Sequence, residues 1–129
     1  MSHKSYLTDY KRVAGLGVAK SGVGHWTAQR VSAVALLPLT VLFLYTFIGA
    51  LGGSYEDALA TYQRPYPAVV ALLLMLVMFR HLRLGLQVVI EDYVSDHKAQ
   101  MRAQILNMLT WRTLAIVGIF AIAKIAFSA

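Results

Sequence analysis

Three ionisable side chains follow directly after a long apolar stretch. Arg80, His81 and Arg83 come after residues 66–79, a run of 14 uncharged and mostly apolar residues. An ionisable residue inside a bilayer costs roughly 2.5–3.5 kcal/mol on insertion scales, so such residues are functional candidates. Among the three, histidine is the one whose neutral ring can bind a metal ion through a nitrogen lone pair. This cluster is therefore the first candidate for a functional site.

On a helix, His81 shares one face with two other informative positions. At 100° per residue, His81, Gly85 and Asp92 lie within about 60° of one another. A glycine one turn from an intramembrane histidine allows a flat group or another backbone to approach closely. Two interpretations are open: His81 is an axial ligand of haem iron between facing helices, or it is hydrogen-bonded between helices and contributes only to packing. One histidine supplies one axial position, so a bis-histidine haem would need its second ligand from another chain.

Asp92 and Tyr93 form a second polar group in the same segment. A tyrosine phenol can donate a hydrogen bond to a quinone carbonyl, and a neighbouring carboxylate can orient the phenol or exchange protons. Alternatively, Tyr93 belongs to the aromatic belt of the membrane interface and Asp92 ends the helix. Arg80 and Arg83 lie about 100° and 200° away from His81 around the helix. Each of them needs an acidic or propionate-like partner or must snorkel to the interface.

Composition indicates that these residues belong to an integral membrane protein. The chain has 129 residues, of which 58% are hydrophobic and 14% are charged, whereas a soluble domain has about 25% charged residues. The apolar residues lie in three blocks, each long enough to cross a bilayer. We therefore predict an all-α integral membrane fold in which residues 1–129 form one membrane-anchor domain. The absence of cysteine excludes disulfides, iron–sulfur ligation and thiolate zinc sites on this chain.

The predicted elements are a short amphipathic N-terminal arm and three transmembrane helices. The arm covers residues 1–30, and the helices are predicted at about 31–52, 66–90 and 109–127.

Details within these elements are also predicted. Gly22 and Gly24 are expected to interrupt regular structure before the first span. Pro38 should kink that span, and small residues at its start, including Ser32, offer a surface for close helix contact. Residues 53–65 are predicted to be a loop that ends in a Pro-Tyr-Pro turn. Residues 91–108 are predicted to be a polar connection that is partly helical.

Lysine and arginine are distributed unequally between the two sides of the membrane. The arm and the second connection, counted to Arg112, carry eight of them, whereas the opposite side has only Arg64 and Lys124. Cytoplasmic loops carry an excess of Lys and Arg, so we predict an N-terminus inside and a C-terminus outside. The net charge of +6 has the same origin, and no nucleic-acid partner is expected.

Two motifs resemble those of a known family. His81, Gly85 and Asp92-Tyr93-Val94, with the tyrosine twelve positions after the histidine, are similar to the motif of the hydrophobic membrane-anchor (D) subunit of succinate dehydrogenase. The sequence HWTAQR, which begins at His25, resembles the H-W-T-x-x-R of mitochondrial and related bacterial anchors. The resemblance covers essentially the whole chain, including the three spans and their orientation.

The resemblance implies roles for four residues. His81 would ligate the iron of a haem b, and the sister cytochrome b556 subunit would supply the second histidine. Tyr93 would hydrogen-bond ubiquinone with support from Asp92. Arg30 would lie near the haem propionates or the quinone pocket.

The function implied by the resemblance is that of an anchor with no active site of its own. In the bacterial inner membrane, it would help to pass electrons from succinate to ubiquinone, linking the tricarboxylic acid cycle to electron transport. The flavoprotein and iron–sulfur subunits would oxidise succinate, and the cytochrome b556 subunit would complete the anchor among membrane lipids. Two alternatives stay open: the anchor of a quinol:fumarate reductase, and a cofactor-free membrane scaffold that only recruits soluble subunits.

Overall fold

The computed structural model describes Thr8, Tyr10 and residues 22–128. Residues 22–128 fold into four α-helices without a strand, namely α1 (Gly22–Leu51), α2 (Tyr55–Gln63), α3 (Pro65–Tyr93) and α4 (His97–Phe127). Helices α1, α3 and α4 contain 30, 29 and 31 residues and are apolar enough to cross a membrane. The predicted all-α integral membrane fold is therefore confirmed. Most of the predicted amphipathic arm lies outside the described residues.

Helix α1 begins nine residues before the first predicted span. Gly22 and Gly24 are part of its first turn, so the prediction that they interrupt regular structure was wrong. A glycine inside a helix costs only about 0.5–1 kcal/mol relative to alanine, which a long helix packed against a neighbour can absorb. Pro38 lies inside α1, which continues to Leu51; the kink at Pro38 stays a prediction.

The segment predicted as a loop at 53–65 contains the short helix α2. Its start is a capping box, in which Ser54 Oγ accepts a hydrogen bond from Asp57 N at 3.2 Å and Asp57 Oδ2 accepts one from Ser54 N at 2.9 Å. The Ser54 hydroxyl also donates to Asp57 Oδ2 at 3.0 Å, and the bonds from the Ser54 backbone and hydroxyl to this carboxyl lower its pKa. The predicted Pro-Tyr-Pro turn is instead the first turn of α3. Proline is tolerated there because the backbone N–H groups of a first helical turn have no acceptor within the helix.

Helix α3 lies at the centre of the packing. It contacts both α1 and α4, whereas α1 and α4 do not contact each other within residues 22–128. Most buried residues of the described chain belong to α3, among them Ala68, Ala71 and Leu84. Helix α1 buries only Ser32, and α4 buries only Asn107. The apolar outer faces of α1 and α4 are consequently exposed to lipid or to other subunits.

Amide side chains of α4 donate hydrogen bonds to backbone carbonyl oxygens of α3. We call these three bonds the amide ladder: Asn107 Nδ2 to Arg83 O at 3.0 Å, Gln104 Nε2 to Gln87 O at 3.1 Å, and Gln100 Nε2 to Glu91 O at 3.4 Å. The acceptors repeat every four residues and the donors every three or four, so both sets lie on facing stripes of antiparallel helices.

The amide ladder explains the polar sequence that was predicted to connect the second and third spans. The connection comprises only residues 94–96, after which Asp96 Oδ2 accepts a hydrogen bond from Ala99 N at 2.7 Å and caps α4. The glutamines and the asparagine beyond it are helical. They bind α3 instead of forming a solvated loop.

Replacing Asn107 with alanine should destabilise the α3–α4 pair. Interhelical hydrogen bonds in membrane proteins contribute about 0.6 kcal/mol on average and up to about 1.7 kcal/mol, so a loss in this range is expected. Denaturation of the purified protein in mixed micelles, followed by circular dichroism, measures the free energy of unfolding. Leu106→Ala is the matched control, because Leu106 is 67% exposed on the same helix. Equal losses in the two variants would show that the amide ladder adds nothing.

Candidate functional site

His81 lies where α3 packs against α1. Its Nδ1 is 2.9 Å from Ser32 Oγ, and Ser32 is only 5% exposed. The Ser32 hydroxyl also donates a hydrogen bond to the Gln29 carbonyl oxygen at 2.8 Å. A hydroxyl has one hydrogen, so while it donates to Gln29 the Ser32 oxygen can accept a bond from the Nδ1–H tautomer of His81. We infer this tautomer, in which Nε2 carries the lone pair.

The Nε2 atom of His81 makes no hydrogen bond to any residue that the structure describes. A histidine that binds a metal through one nitrogen usually donates a hydrogen bond from the other, which fixes the tautomer and the ring orientation. Ser32 provides that second bond here. Among the described residues, no three His, Cys, Asp or Glu side chains converge.

Two more polar residues lie on the same stripe of α1 as Ser32. His25, Gln29 and Ser32 are separated by four and three residues and therefore share one face. Gln29 Nε2 lies 3.4 Å from the position that a Cβ atom at Gly85 would take. The space at Gly85 is thus filled by a side-chain amide of this chain. The approach of a flat group or a second backbone at Gly85 stays a prediction.

Two buried atoms of this stripe have no hydrogen-bond partner. They are His25 Nε2 and Gln29 Oε1. Unpaired buried polar atoms are rare in folded proteins and usually indicate a missing ligand, ion or water. They add two hydrogen-bonding positions to the α1–α3 interface that holds His81.

Arg30 lies on a different face of α1 from Ser32. The two residues are about 160° apart around the helix. Arg30 is exposed, and its guanidinium carbon lies 4.4 Å from the centre of the Trp26 ring. Such a cation–π contact holds the charge against the side of α1. The structure does not bring Arg30 and His81 together within this chain.

Asp92 and Tyr93 are the last two residues of α3. Both are exposed, and neither side chain has a hydrogen-bond partner in the described part of the chain. Glu91, by contrast, accepts hydrogen bonds from Gln87 Nε2 at 2.8 Å and from Gln104 Nε2 at 3.4 Å. At 1.5 Å per residue, Tyr93 lies about 18 Å from His81 along α3. The two predicted sites are therefore separate positions on one helix.

Arg80 and Arg83 line a cavity between α3 and α4, whose volume is about 460 Å³. Arg112 and Trp111 of α4 line the same cavity. The sequence identified the two α3 arginines but not their association with Arg112, which depends on the pairing of the two helices. Sequence reasoning also missed Ser32 as the partner of His81. Its only signal was a small polar residue in an otherwise apolar span.

Comparison with known proteins places this arrangement in context. Residues 4–123 match the model of a family described as succinate dehydrogenase/fumarate reductase transmembrane subunit. The succinate dehydrogenase hydrophobic membrane anchor subunit of Paracoccus denitrificans is 34% identical over 124 residues, which cover 96% of this chain and 95% of that protein. The subunit of the same name from Rickettsia bellii is 34% identical over 93 residues, which cover 72% of this chain and 74% of the relative. No solved structure matches the chain significantly.

Replacing Ser32 with alanine should remove the preference of His81 for the Nδ1–H tautomer. The variant loses the acceptor for Nδ1–H and, at about 1 kcal/mol per hydrogen bond, some stability of the α1–α3 contact. Nitrogen-15 NMR of histidine-labelled protein reports which ring nitrogen carries the proton, and His81→Gln identifies the signal. Ser32→Thr keeps the hydroxyl and should keep the wild-type tautomer. An Nε2-protonated His81 in the wild-type protein would refute the assignment.

Proposed function

The chain belongs to the succinate dehydrogenase/fumarate reductase transmembrane subunit family, and on that premise we propose that it supplies one axial ligand of a haem b and part of a ubiquinone site. Its general role is that of a succinate dehydrogenase/fumarate reductase membrane anchor subunit. The observation that carries the haem proposal is the hydrogen bond between His81 Nδ1 and Ser32 Oγ. It holds the imidazole while Nε2 keeps the lone pair that iron would bind.

A shared haem accounts for the incomplete ligand set on this chain. His81 is one imidazole on a helix interface, and the second axial histidine would come from the cytochrome b556 subunit. His97 is exposed at the start of α4, and His25 lies on α1 about two turns from Ser32. A bound haem would supply a one-electron carrier, and His81 would hold its iron through Nε2.

A ubiquinone site at the end of α3 is supported by the exposure of Tyr93. Its phenol has no partner among the described residues and is 83% exposed, so it can donate to a quinone carbonyl. Asp92 is its neighbour and would orient the phenol or accept a proton. The amide ladder holds this end of α3 and engages Glu91, which leaves Asp92 available.

Arg30 would act at the same end of the helical bundle. Helices α1 and α3 pack antiparallel, since Ser32 meets His81 and Gln29 meets Gly85. Arg30 therefore lies between the levels of His81 and Tyr93 but faces away from α3. From that position, we propose that it meets a haem propionate or the quinone pocket at the surface shared with the sister subunit.

The proposed assembly contains the cytochrome b556, iron–sulfur and flavoprotein subunits of a bacterial succinate dehydrogenase. Eight Lys and Arg residues on one side against two on the other support a cytoplasmic N-terminus and a periplasmic C-terminus in the inner membrane. Within α1, α3 and α4, the membrane-spanning parts are proposed at about 31–52, 66–90 and 109–127. The quinone site would then lie at the cytoplasmic boundary, where the catalytic subunits attach.

A quinol:fumarate reductase anchor is the second candidate, because the description of the matching family names both enzymes. The relatives compared above carry the succinate dehydrogenase name, which favours succinate oxidation. A scaffold without cofactor is compatible with a His81–Ser32 hydrogen bond that contributes only to packing. The haem proposal is preferred because His81 Nε2 has no partner among the described residues and because His81 belongs to the motif that resembles the anchor family.

Replacing His81 with alanine should abolish or strongly alter the low-spin b-type spectrum of the purified complex. The physical reason is the loss of one axial ligand of the iron. Reduced-minus-oxidised absorption spectra, normalised to bound flavin, measure the effect. His97→Ala should leave the spectrum unchanged, because His97 is exposed at the start of α4. An unchanged spectrum in the His81 variant would eliminate the haem proposal.

Replacing Tyr93 with phenylalanine should lower succinate:ubiquinone turnover by about tenfold, the equivalent of roughly 1.4 kcal/mol of hydrogen bonding. Succinate oxidation by an artificial acceptor should persist, because the flavoprotein and iron–sulfur subunits are unaltered. Tyr66→Phe is the matched control at the opposite end of α3, where Tyr66 is 55% exposed. Equal quinone turnover in the Tyr93 variant and wild type would remove Tyr93 from the site.

A further inference from the structure

Three cationic side chains line the cavity of about 460 Å³ between α3 and α4. Arg80 and Arg83 come from α3, and Arg112 comes from α4. No acidic residue lines this cavity, and none of the three side chains has a hydrogen bond or ion pair with the described residues. Glu91 and Arg83 both line a smaller neighbouring cavity, but Glu91 is bound by Gln87 and Gln104. Cations at membrane depth are expensive unless they are paired, so an anion is required here.

The cavity lies in the half of the membrane nearer the side at which α1 begins. Going from the uncharged part of α3, residues 65–79, toward its C-terminus, the first charge is Arg80. Going from the uncharged part of α4, residues 113–123, toward its N-terminus, the first charge is Arg112. Both directions lead to the side of the membrane at which α1 begins. Long arginine side chains there extend toward the headgroup region of that leaflet.

Trp111 adds a further donor to the same cavity. Its indole Nε1 is buried and has no hydrogen-bond partner. Its ring packs against Phe79, with ring centroids 5.9 Å apart. Tryptophan is enriched at the headgroup level of membranes. The polar side chains that line the cavity are thus all donors, and the missing group must present several acceptor oxygens.

The chemistry of these donors matches a phosphate diester attached to acyl chains. The planar guanidinium forks of arginine bind phosphate oxygens in pairs. The remaining lining is apolar and includes Leu76, Val77 and Leu84. An apolar wall beside a cationic mouth suits a lipid better than a soluble anion. Basic pockets between transmembrane helices are known to bind anionic headgroups.

We propose that this cavity binds an anionic phospholipid of the leaflet on the side where α1 begins. Arg80, Arg83 and Arg112 hold the headgroup phosphate, and an acyl chain lies along the apolar wall. The site lies on the α4 side of α3, whereas His81 contacts Ser32 of α1. The geometry therefore assigns these arginines to a lipid and not to the propionates of a haem bound at His81.

The test uses the protein purified with its accompanying subunits and reconstituted in nanodiscs. The nanodiscs contain phosphatidylcholine with about one fifth phosphatidylglycerol, which gives the bilayer a negative surface charge. After detergent washing, mass spectrometry measures the ratio of the two retained lipids. The lipid retained by the wild-type protein should be enriched in phosphatidylglycerol about tenfold over the bulk ratio, because a few contacts between arginine and phosphate favour the anionic lipid. The triple variant Arg80→Gln, Arg83→Gln, Arg112→Gln should return to the bulk ratio.

Lys124→Gln is the matched control, because Lys124 is an exposed cation near the other end of α4. It should retain the wild-type enrichment. If the triple variant does not assemble, the three single variants carry the test, and each should lose part of the enrichment. Enrichment that is unchanged in the triple variant, or in all three single variants, would overturn the proposal.

Two further measurements separate the lipid from other anions. Millimolar inorganic phosphate should not displace phosphatidylglycerol, because it lacks the acyl chain. Displacement by phosphate alone would overturn the lipid assignment. The variants should also keep the wild-type haem-to-flavin ratio and the same accompanying subunits. Loss of haem or of a subunit with unchanged lipid enrichment would show that the arginines bind a propionate or a protein carboxylate instead. The lipid ratio does not depend on haem, so failure of the haem proposal leaves this test intact.

Discussion

Several polar groups that α3 carries into the membrane find partners on its two neighbouring helices, and these contacts organise the molecule. Water is absent from the hydrocarbon core, so an unpaired polar group there costs several kcal/mol. On one side, His81 of α3 meets Ser32 of α1. On the other side, the α3 carbonyls at Arg83 and Gln87 accept bonds from α4. One helix thus serves two chemically different interfaces.

The two interfaces solve this problem in different ways. The amide ladder pairs the side-chain amide donors of α4 with carbonyl oxygens of α3 and leaves the arginine side chains to a separate cavity. The α1–α3 interface satisfies one histidine nitrogen and leaves the other, along with buried atoms of His25 and Gln29, without partners. The first arrangement mainly stabilises the fold. The second leaves hydrogen-bonding and ligating capacity that only a bound group or another chain can use.

The atoms proposed for function share this incompleteness. Arg30 and Tyr93 are exposed side chains at one end of the bundle, and the outer faces of α1 and α4 are apolar and exposed. Few side chains of the described residues are buried, which is consistent with an anchor subunit that packs against other chains of its complex. The proposed sites are accordingly single groups of this chain that a partner would complete.

The sequence by itself determined the membrane fold, the number of spans and the shared face of His81 and Gly85, because these follow from local hydrophobicity and helical periodicity. It also contained the two motifs that indicate the family. It missed the helix at 55–63, although the capping box Ser54-x-x-Asp57 was readable, and it misjudged Gly22 and Gly24, because a long helix absorbs the small cost of a glycine in its first turn. Only the tertiary structure decided which helix each side of α3 faces. This packing places Ser32 beside His81 and Arg112 beside the arginines of α3. It depends on contacts between residues far apart in the chain, which no local sequence pattern encodes.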